Sequence, residues 1–270
     1  QPAGRSALTG VVFVDEDGDG ARGAGERGLS GVVVSDQIQA VASGPDGAYR
    51  IERETGGGVA FVSVPRGYQV GRFWHPIPAE GSPQLDFALR PAAGSETLAL
   101  VHASATHISE DRIPRVRRLL EIVETRRPAF VLVSGDLVRD ALRVAEPEAR
   151  GYYELYRRET RDFPVTVWNV PGNHEIFGIE RHLSLVSPTH PLYGKGMYRH
   201  FLGPTYYSFN HSRIHFIALD TVDVDDLWYY GHVDEAQLAW LERDLAHVPP
   251  GTTVVTFNHI PFVSAAPTLG

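Results

Sequence analysis

The chain has 270 residues, 43% of them hydrophobic, which is enough apolar material for one large or two moderate domain cores. Its formal net charge of −8, without a basic stripe, argues against nucleic acid as a partner, and no apolar run reaches the ~18 residues that a transmembrane helix needs. With no cysteine, disulfides and thiol catalysis are excluded. A start at Gln1 rather than Met reads as a mature exported protein, so an extracytoplasmic location, periplasmic or secreted, is expected.

Residues 1 to 92 carry short β-rich runs: Leu8 to Val14, Val32 to Ser35, Ile38 to Ser43, Ala48 to Glu52, Val59 to Val64 and Leu85 to Leu89. Turns such as Gly44-Pro45-Asp46-Gly47 separate them, and the spacing without helical periodicity predicts a small β-sandwich. Arg90-Pro91-Ala92-Ala93-Gly94-Ser95 reads as a linker. Between the first two runs, Asp15, Asp17, Asp19, Gly20 and Glu26 reproduce the 1, 3, 5, 6 and 12 spacing of a calcium loop. Two readings stay open for this segment: a bound structural Ca²⁺, or a solvated acidic hairpin loop.

From residue 97 onward strand and helix alternate. Leu98-Ala99-Leu100-Val101 precedes Ala105-Thr106-His107, and Phe130-Val131-Leu132-Val133 precedes Ser134-Gly135-Asp136. Val165 to Val170 precedes Gly172-Asn173-His174-Glu175, and Thr253 to Phe257, which reads as a core strand, precedes Asn258-His259. Each polar group is thus expected at the C-terminal mouth of a buried strand, where open α/β sheets gather their ligands. Two helices are predicted: Arg112 to Thr125, with Ile113, Val116, Leu119, Leu120 and Val123 on one face, and Asp234 to Val248, with Leu238, Leu241 and Leu245 facing a core.

These blocks resemble the calcineurin-like metallophosphoesterase superfamily, whose pattern runs Asp-x-His, Gly-Asp, Gly-Asn-His-Asp/Glu, a lone His and Gly-His-x-His. The resemblance covers residues 97 to 270 and implies an α/β-sandwich domain with a dinuclear centre. In it Asp136 bridges two metals, one also held by His107 and the other by Asn173 and His259. An imidazole, an amide oxygen and a shared carboxylate suit Mn, Fe or Zn. The resemblance also implies that His174 meets the substrate phosphate or leaving group, and Asp140 is the candidate carboxylate behind it. Residues 1 to 92 are similar to the immunoglobulin-like module of an exported bacterial subfamily, on Gly28 to Ser35 and Asp46 to Tyr49. The fold class expected is therefore α/β: an N-terminal β-sandwich followed by the metallophosphoesterase domain.

Two departures accompany the match. Ala105 stands where the family has its first Asp, and a methyl group ligates nothing. No Gly-His-x-His occurs, and only eleven residues follow His259, which reads as an incomplete domain. Ala105 is either an introduced inactivation, favoured by its intact flanks, or the mark of a natural pseudoenzyme.

Between Ile176 and Pro204 lies a Gly/Pro/His-rich insertion without clear periodicity, containing His182, His190, Lys195, Arg199 and His200. Lys195 and Arg199 are either phosphate contacts or solvated loop cations. Tyr206, Tyr207 and Phe209 read as strand packing, and Trp228-Tyr229-Tyr230 as an aromatic wall for a leaving group or as packing. Asp234 and Gln237 read as a helix cap, so Gly231-His232-Val233-Asp234 is a helix start and not a displaced histidine block. The expected activity is metal-dependent hydrolysis of phosphate mono- or diesters. The alternative is a catalytically dead module that holds a phosphorylated envelope component.

Overall fold

The structure, a computed structural model, describes residues 5–92 and 98–263. Residues 93–95 of the expected linker, and the first four residues, lie outside the described ones. In chain order the elements are β1 (Arg5–Val14), β2 (Val33–Ser35), β3 (Ala40–Ala42), β4 (Ala48–Glu54), β5 (Gly58–Val62), β6 (Tyr68–Val70), β7 (Trp74–Ile77), β8 (Phe87–Pro91) and β9 (Val101–Ala103). There follow α1 (Ile113–Arg126), β10 (Val131–Ser134), α2 (Glu146–Thr160), β11 (Val167–Val170), α3 (Arg181–Ser184) and α4 (Gly196–Leu202). The chain ends with β12 (Tyr207–His211), β13 (Ile214–Ala218), β14 (Val222–Asp225), β15 (Trp228–Gly231), α5 (Glu235–Leu245) and β16 (Thr253–Phe257). The architecture is mixed α/β, strand-rich at the N-terminal end. Among the described residues no helix is long and apolar enough to cross a membrane.

The chain gathers into two compact units, one of residues 1–98, 202–218 and 235–256, the other of 99–201, 219–234 and 257–270. In the first unit two four-stranded sheets run in the orders β4-β1-β8-β6 and β3-β2-β5-β7. Leu8, Val12 and Phe13 of β1 and Phe87 of β8 are fully buried, and the His75 ring of β7 lies 5.1 Å from that of Phe87. Burying each such side chain contributes about 1.5–3 kcal/mol. Val59, Ala60, Phe61 and Val62 of β5 are all buried. A strand reads as a continuous apolar run when both faces are covered, and the outer face of β5 is covered by Trp240 of α5 and Tyr207 of β12, with ring centroids 6.1 and 6.3 Å from Phe61.

Strands β6 and β7, three and four residues long, are too short to carry a period of their own, and pairing with β8 and β5 defines them. Helix α5 differs from its predicted orientation. Its buried residues are Gln237, Trp240 and Asp244, while Leu238 and Leu245 are exposed. Trp240 Nε1 donates to Ser35 Oγ, and Asp244 accepts from Ser208 Oγ at 2.7 Å and lies 2.7 Å from His215 Nε2. Satisfied polar groups can therefore occupy a core stripe that a hydrophobicity count gives to leucines. Strand β16, expected in a core, sits at the edge of the sheet β12-β13-β16, with Val254 exposed.

In the second unit β10 is the central strand of β11-β10-β9, paired in parallel on both sides, and all four of its residues are buried. Helix α1 buries Val116 and Val123, on the face the spacing predicts. Helix α2 buries Ala149, Tyr153, Leu155 and Tyr156. The insertion after Ile176 is more ordered than its sequence suggests. A bridge pairs Phe177 with Gly194, and Met197, Tyr198 and Phe201 of α4 are buried. Large apolar anchors fix this segment without helical or strand periodicity.

Candidate metal centre

Parallel pairing brings the C-terminal ends of β9, β10 and β11 to one edge of the second unit, and the turns beyond them are locked together through the backbone. Ala105 N–H donates to the Gly135 carbonyl at 3.0 Å, His107 N–H to the Asp136 carbonyl at 2.9 Å, and Ile108 N–H to the Leu137 carbonyl at 2.8 Å. Four residues here have left-handed backbone: Ala105 (φ 54), His107 (φ 43), Gly135 (φ 80) and Asp136 (φ 55). Such conformations cost of order 1–3 kcal/mol each for residues other than glycine and cluster at functional sites. Glycine is required at 135 twice over, because a Cβ there would also stand 2.5 Å from His259 Nδ1.

The side chains converge on Asp136, which is 8% exposed. Its Oδ2 lies 3.6 Å from His107 Nε2 and 4.0 Å from His174 Nε2, and its Oδ1 lies 3.4 Å from His259 Nε2. Asn173 Oδ1 is 3.1 Å from His259 Nε2, and His259 Nδ1 is 2.8 Å from the Ser134 carbonyl. A carbonyl only accepts, so Nδ1 carries the proton and Nε2 presents a lone pair. Asn173 Oδ1 and Asp136 Oδ1 thus each face the His259 Nε2 lone pair with no hydrogen on that nitrogen, while Asp136 Oδ1 also accepts the His174 N–H at 3.2 Å. That arrangement suits a cation. On the other side His107, Asp136 and His174 offer ligand atoms within 4.8 Å of one another. The two carboxylate oxygens therefore face different imidazoles, as a bridging ligand requires. Ala105 contributes only a methyl group, so position 105 adds no donor to the His107 side. Burial, and then the neighbouring His174, lower the His107 pKa below the ordinary imidazole value.

His174 Nδ1 lies 2.6 Å from the Arg139 carbonyl, which fixes the proton on Nδ1 and turns Nε2 toward Asp136. This corrects the expected role of Asp140. That carboxylate accepts from the Leu142 N–H at 2.9 Å and pairs with Arg143 at 2.9 Å, and a backbone oxygen holds His174 in its place. Lys195 is committed to the buried Asp220 at 2.7 Å, and Arg199 is exposed. His190 lies 3.1 Å from Glu146, and His182 is exposed. Packing does not account for the aromatic run on β15: Trp228, Tyr229 and Tyr230 are 75%, 41% and 45% exposed. The hairpin β14–β15 abuts the His259 segment, since Ile260 N–H donates to Thr221 Oγ1 at 2.9 Å.

One residue at the site was quoted with its motif but given no role by the sequence reading. Glu175 is fully buried, and its carboxylate accepts N–H bonds from Asp136, Leu137, Val138 and Gly172 at 2.6–2.9 Å. Burial and the nearby Asp136 carboxylate push its pKa up to about 8, against the pull of those N–H donors. A Glu three residues after the glycine that opens a helical turn is the signal that could have found it.

In the first unit Asp15, Asp17 and Asp19 offer oxygens within 4.8 Å of one another. Glu26 does not join them as the calcium-loop spacing predicts. Its two oxygens accept the Glu16 and Gly23 N–H groups, each at 2.8 Å. The Asp15, Asp17 and Asp19 carboxylates in turn accept from Gly18, Asp19 and Ala21, so the loop is built largely on its own backbone.

The family profile described as calcineurin-like phosphoesterase matches residues 98–270, and that described as the N terminal of calcineurin-like phosphoesterase matches residues 17–92. No curated protein matches the chain. Among solved structures, a dimetal phosphatase from Danio rerio is 15% identical, over 60% of this chain and 69% of its own, with a TM-score of 0.40. A DUF3823 family protein from Parabacteroides merdae is 17% identical over 33% of this chain, with a TM-score of 0.24. The shaft pilin SpaA from Lactobacillus rhamnosus is 14% identical over 38% of this chain, with a TM-score of 0.23. The match spans about half the length of those last two proteins, 47% and 54%.

Proposed function

Because this chain belongs to the calcineurin-like phosphoesterase family, we propose that it hydrolyses phosphate mono- or diesters at a pair of divalent metals, Mn, Fe or Zn, centred on Asp136. The observation that carries this reading is the set of lone-pair atoms around the two Asp136 oxygens. Asn173 and His259 with Oδ1 would hold one ion, and His107 with Oδ2 the other. A metal pair so held supplies an activated water and neutralises charge on the phosphoryl oxygens. With its Nδ1 proton committed to the Arg139 carbonyl, His174 takes or gives a proton only at Nε2, which faces the centre and can serve the ester's leaving oxygen. The exposed β15 aromatics would meet the organic part of the ester. The proposal keeps residues 1–92 as a β module preceding the hydrolase domain.

Position 105 favours one second reading. Its methyl group leaves the His107 side short of a carboxylate, which fits a protein that binds a phosphorylated envelope component without cleaving it. Elemental analysis of metal per chain, paired with hydrolysis of a chromogenic mono- and diester, separates the two. Ala105→Asp is expected to raise both metal content and turnover over the starting chain, and Asp136→Asn to abolish both. Ala105→Asp with two metals and no turnover of either ester would favour the binder. No metal in either form would remove the assignment of His107, Asp136, Asn173 and His259 as ligands.

A further inference from the structure

A carboxylate has about four lone-pair directions, and at Glu175 backbone N–H groups fill all of them. Oε1 accepts from Leu137 at 2.7 Å and Val138 at 2.9 Å, and Oε2 from Asp136 at 2.9 Å and Gly172 at 2.6 Å. Three of these donors belong to the turn after β10 and the fourth to the turn after β11. The same residue is tied to helix α2, because Tyr153 Oη donates to the Glu175 carbonyl at 2.7 Å. One side chain thus links the turn that bears Asp136 to the turn that bears Asn173 and His174. The effect reaches β9, since the peptide carbonyl of Asp136 receives the His107 N–H. Without Glu175, four buried N–H groups would lose their acceptor, and nothing else described in the two turns replaces it.

We infer that Glu175 is a positioning residue: it touches no metal, and it sets the spacing of Asp136 against His107, Asn173 and His174 by binding both turns at once. This inference rests on the metal-centre reading above. Glutamine keeps the length of the arm but turns an NH₂ group toward N–H donors, so at most part of the set survives. Aspartate keeps the charge but is one methylene too short to span both turns.

The test is Mn²⁺ affinity, measured by calorimetry well below the melting temperature, for the starting chain, Glu175→Gln, Glu175→Asp and Tyr153→Phe. Tyr153→Phe removes a buried hydrogen bond on the same residue and leaves the carboxylate intact, so it reports loss of stability alone. Glu175→Gln is expected to weaken Mn²⁺ binding tenfold or more, whereas Tyr153→Phe melts earlier and binds as before. Should Glu175→Gln not fold, Glu175→Asp carries the test with the same expectation. Parental affinity in a Glu175 variant, or equal weakening by Tyr153→Phe, overturns the inference. If neither the starting chain nor Ala105→Asp binds Mn²⁺, the metal-centre reading falls and this inference with it, and that failure is recognisable because it precedes any Glu175 substitution; if only Ala105→Asp binds, the Glu175 and Tyr153 variants are compared in that background.

Discussion

A methyl group added at Gly172 would overlap both Oδ1 and the backbone nitrogen of Asp136. Backbone cannot swing aside as a flexible side chain can, so Gly172→Ala should cost about 1–3 kcal/mol and displace Asp136. A thermal melt and a metal titration on the same sample check both effects. Position 105 calls for the opposite kind of change. Ala105 holds φ 54, a region where Asp and Asn are several-fold enriched and glycine is free. Ala105→Gly relieves about 1–2 kcal/mol of left-handed strain against about 0.4–1 kcal/mol of added unfolded-chain entropy, so it is expected to raise stability slightly while adding no ligand, and a lower melting temperature would contradict it. The candidate site was legible at this scale because each proposed ligand follows an apolar run, and strand-end polar residues are visible without a fold. Asp140 was misread, and Glu175 went without a role. Which carboxylate stands behind a histidine depends on a turn's path, which residue types alone do not fix, whereas the Gly172-to-Glu175 spacing did carry a capping signal for a carboxylate that turns back onto the backbone.

At the scale of elements, periodicity located α1 and failed on the orientation of α5. In α5 two stripes compete, Leu238, Leu241 and Leu245 against Gln237, Trp240 and Asp244, and the second is buried. A hydrophobicity count cannot see that Ser35, Ser208 and His215 wait as partners for it. Asp244→Ala should then cost about 2–4 kcal/mol, because Ser208 Oγ and His215 Nε2 each lose a buried partner, Ser208 keeping Ser63 and His215 keeping Asn210 on its other nitrogen, while Leu238→Ser stays within about 0.5 kcal/mol. Urea midpoints of the two variants give the comparison, and the reverse order would restore the leucine face to the core. The acidic loop offers a second element-scale test. Glu26→Gln replaces one of the two oxygens that accept the Glu16 and Gly23 N–H groups with an NH₂ donor, so its melting temperature should fall equally in chelator and in millimolar Ca²⁺. A loss seen only with Ca²⁺ present would return Glu26 to an ion's shell.

For the whole molecule, the strand-rich beginning and the α/β alternation were readable from turn spacing and period, but the membership of each compact unit was not. Residues 202–218 and 235–256 cluster with residues 1–98 because β5 needs cover on its outer face. Phe61 receives Trp240 and Tyr207, Ser63 Oγ lies 2.9 Å from Ser208 Oγ, and Gln37 exchanges two hydrogen bonds with Tyr206. A fragment of residues 1–92 alone would uncover the fully buried Phe61, whose burial contributes about 1.5–3 kcal/mol, and would strip the half-buried Phe73 of Tyr207, whose ring lies 4.9 Å away. It is expected to bind a hydrophobic dye and to unfold at lower urea than the same segment within the chain. A fragment as stable as the parent would make residues 1–92 self-sufficient.

The four tryptophans report on different places in the molecule. Trp168 and Trp240 are buried, Trp74 is half-buried beneath the Arg72 guanidinium, and Trp228 stands 75% exposed on the hairpin that abuts the His259 segment. Only Trp228 should be reached freely by a collisional quencher in water, and its emission should lie furthest to the red. The protein thus carries an intrinsic optical probe, and an ester that settles against β15 would announce itself as a blue shift and a loss of quenching before any bond is broken.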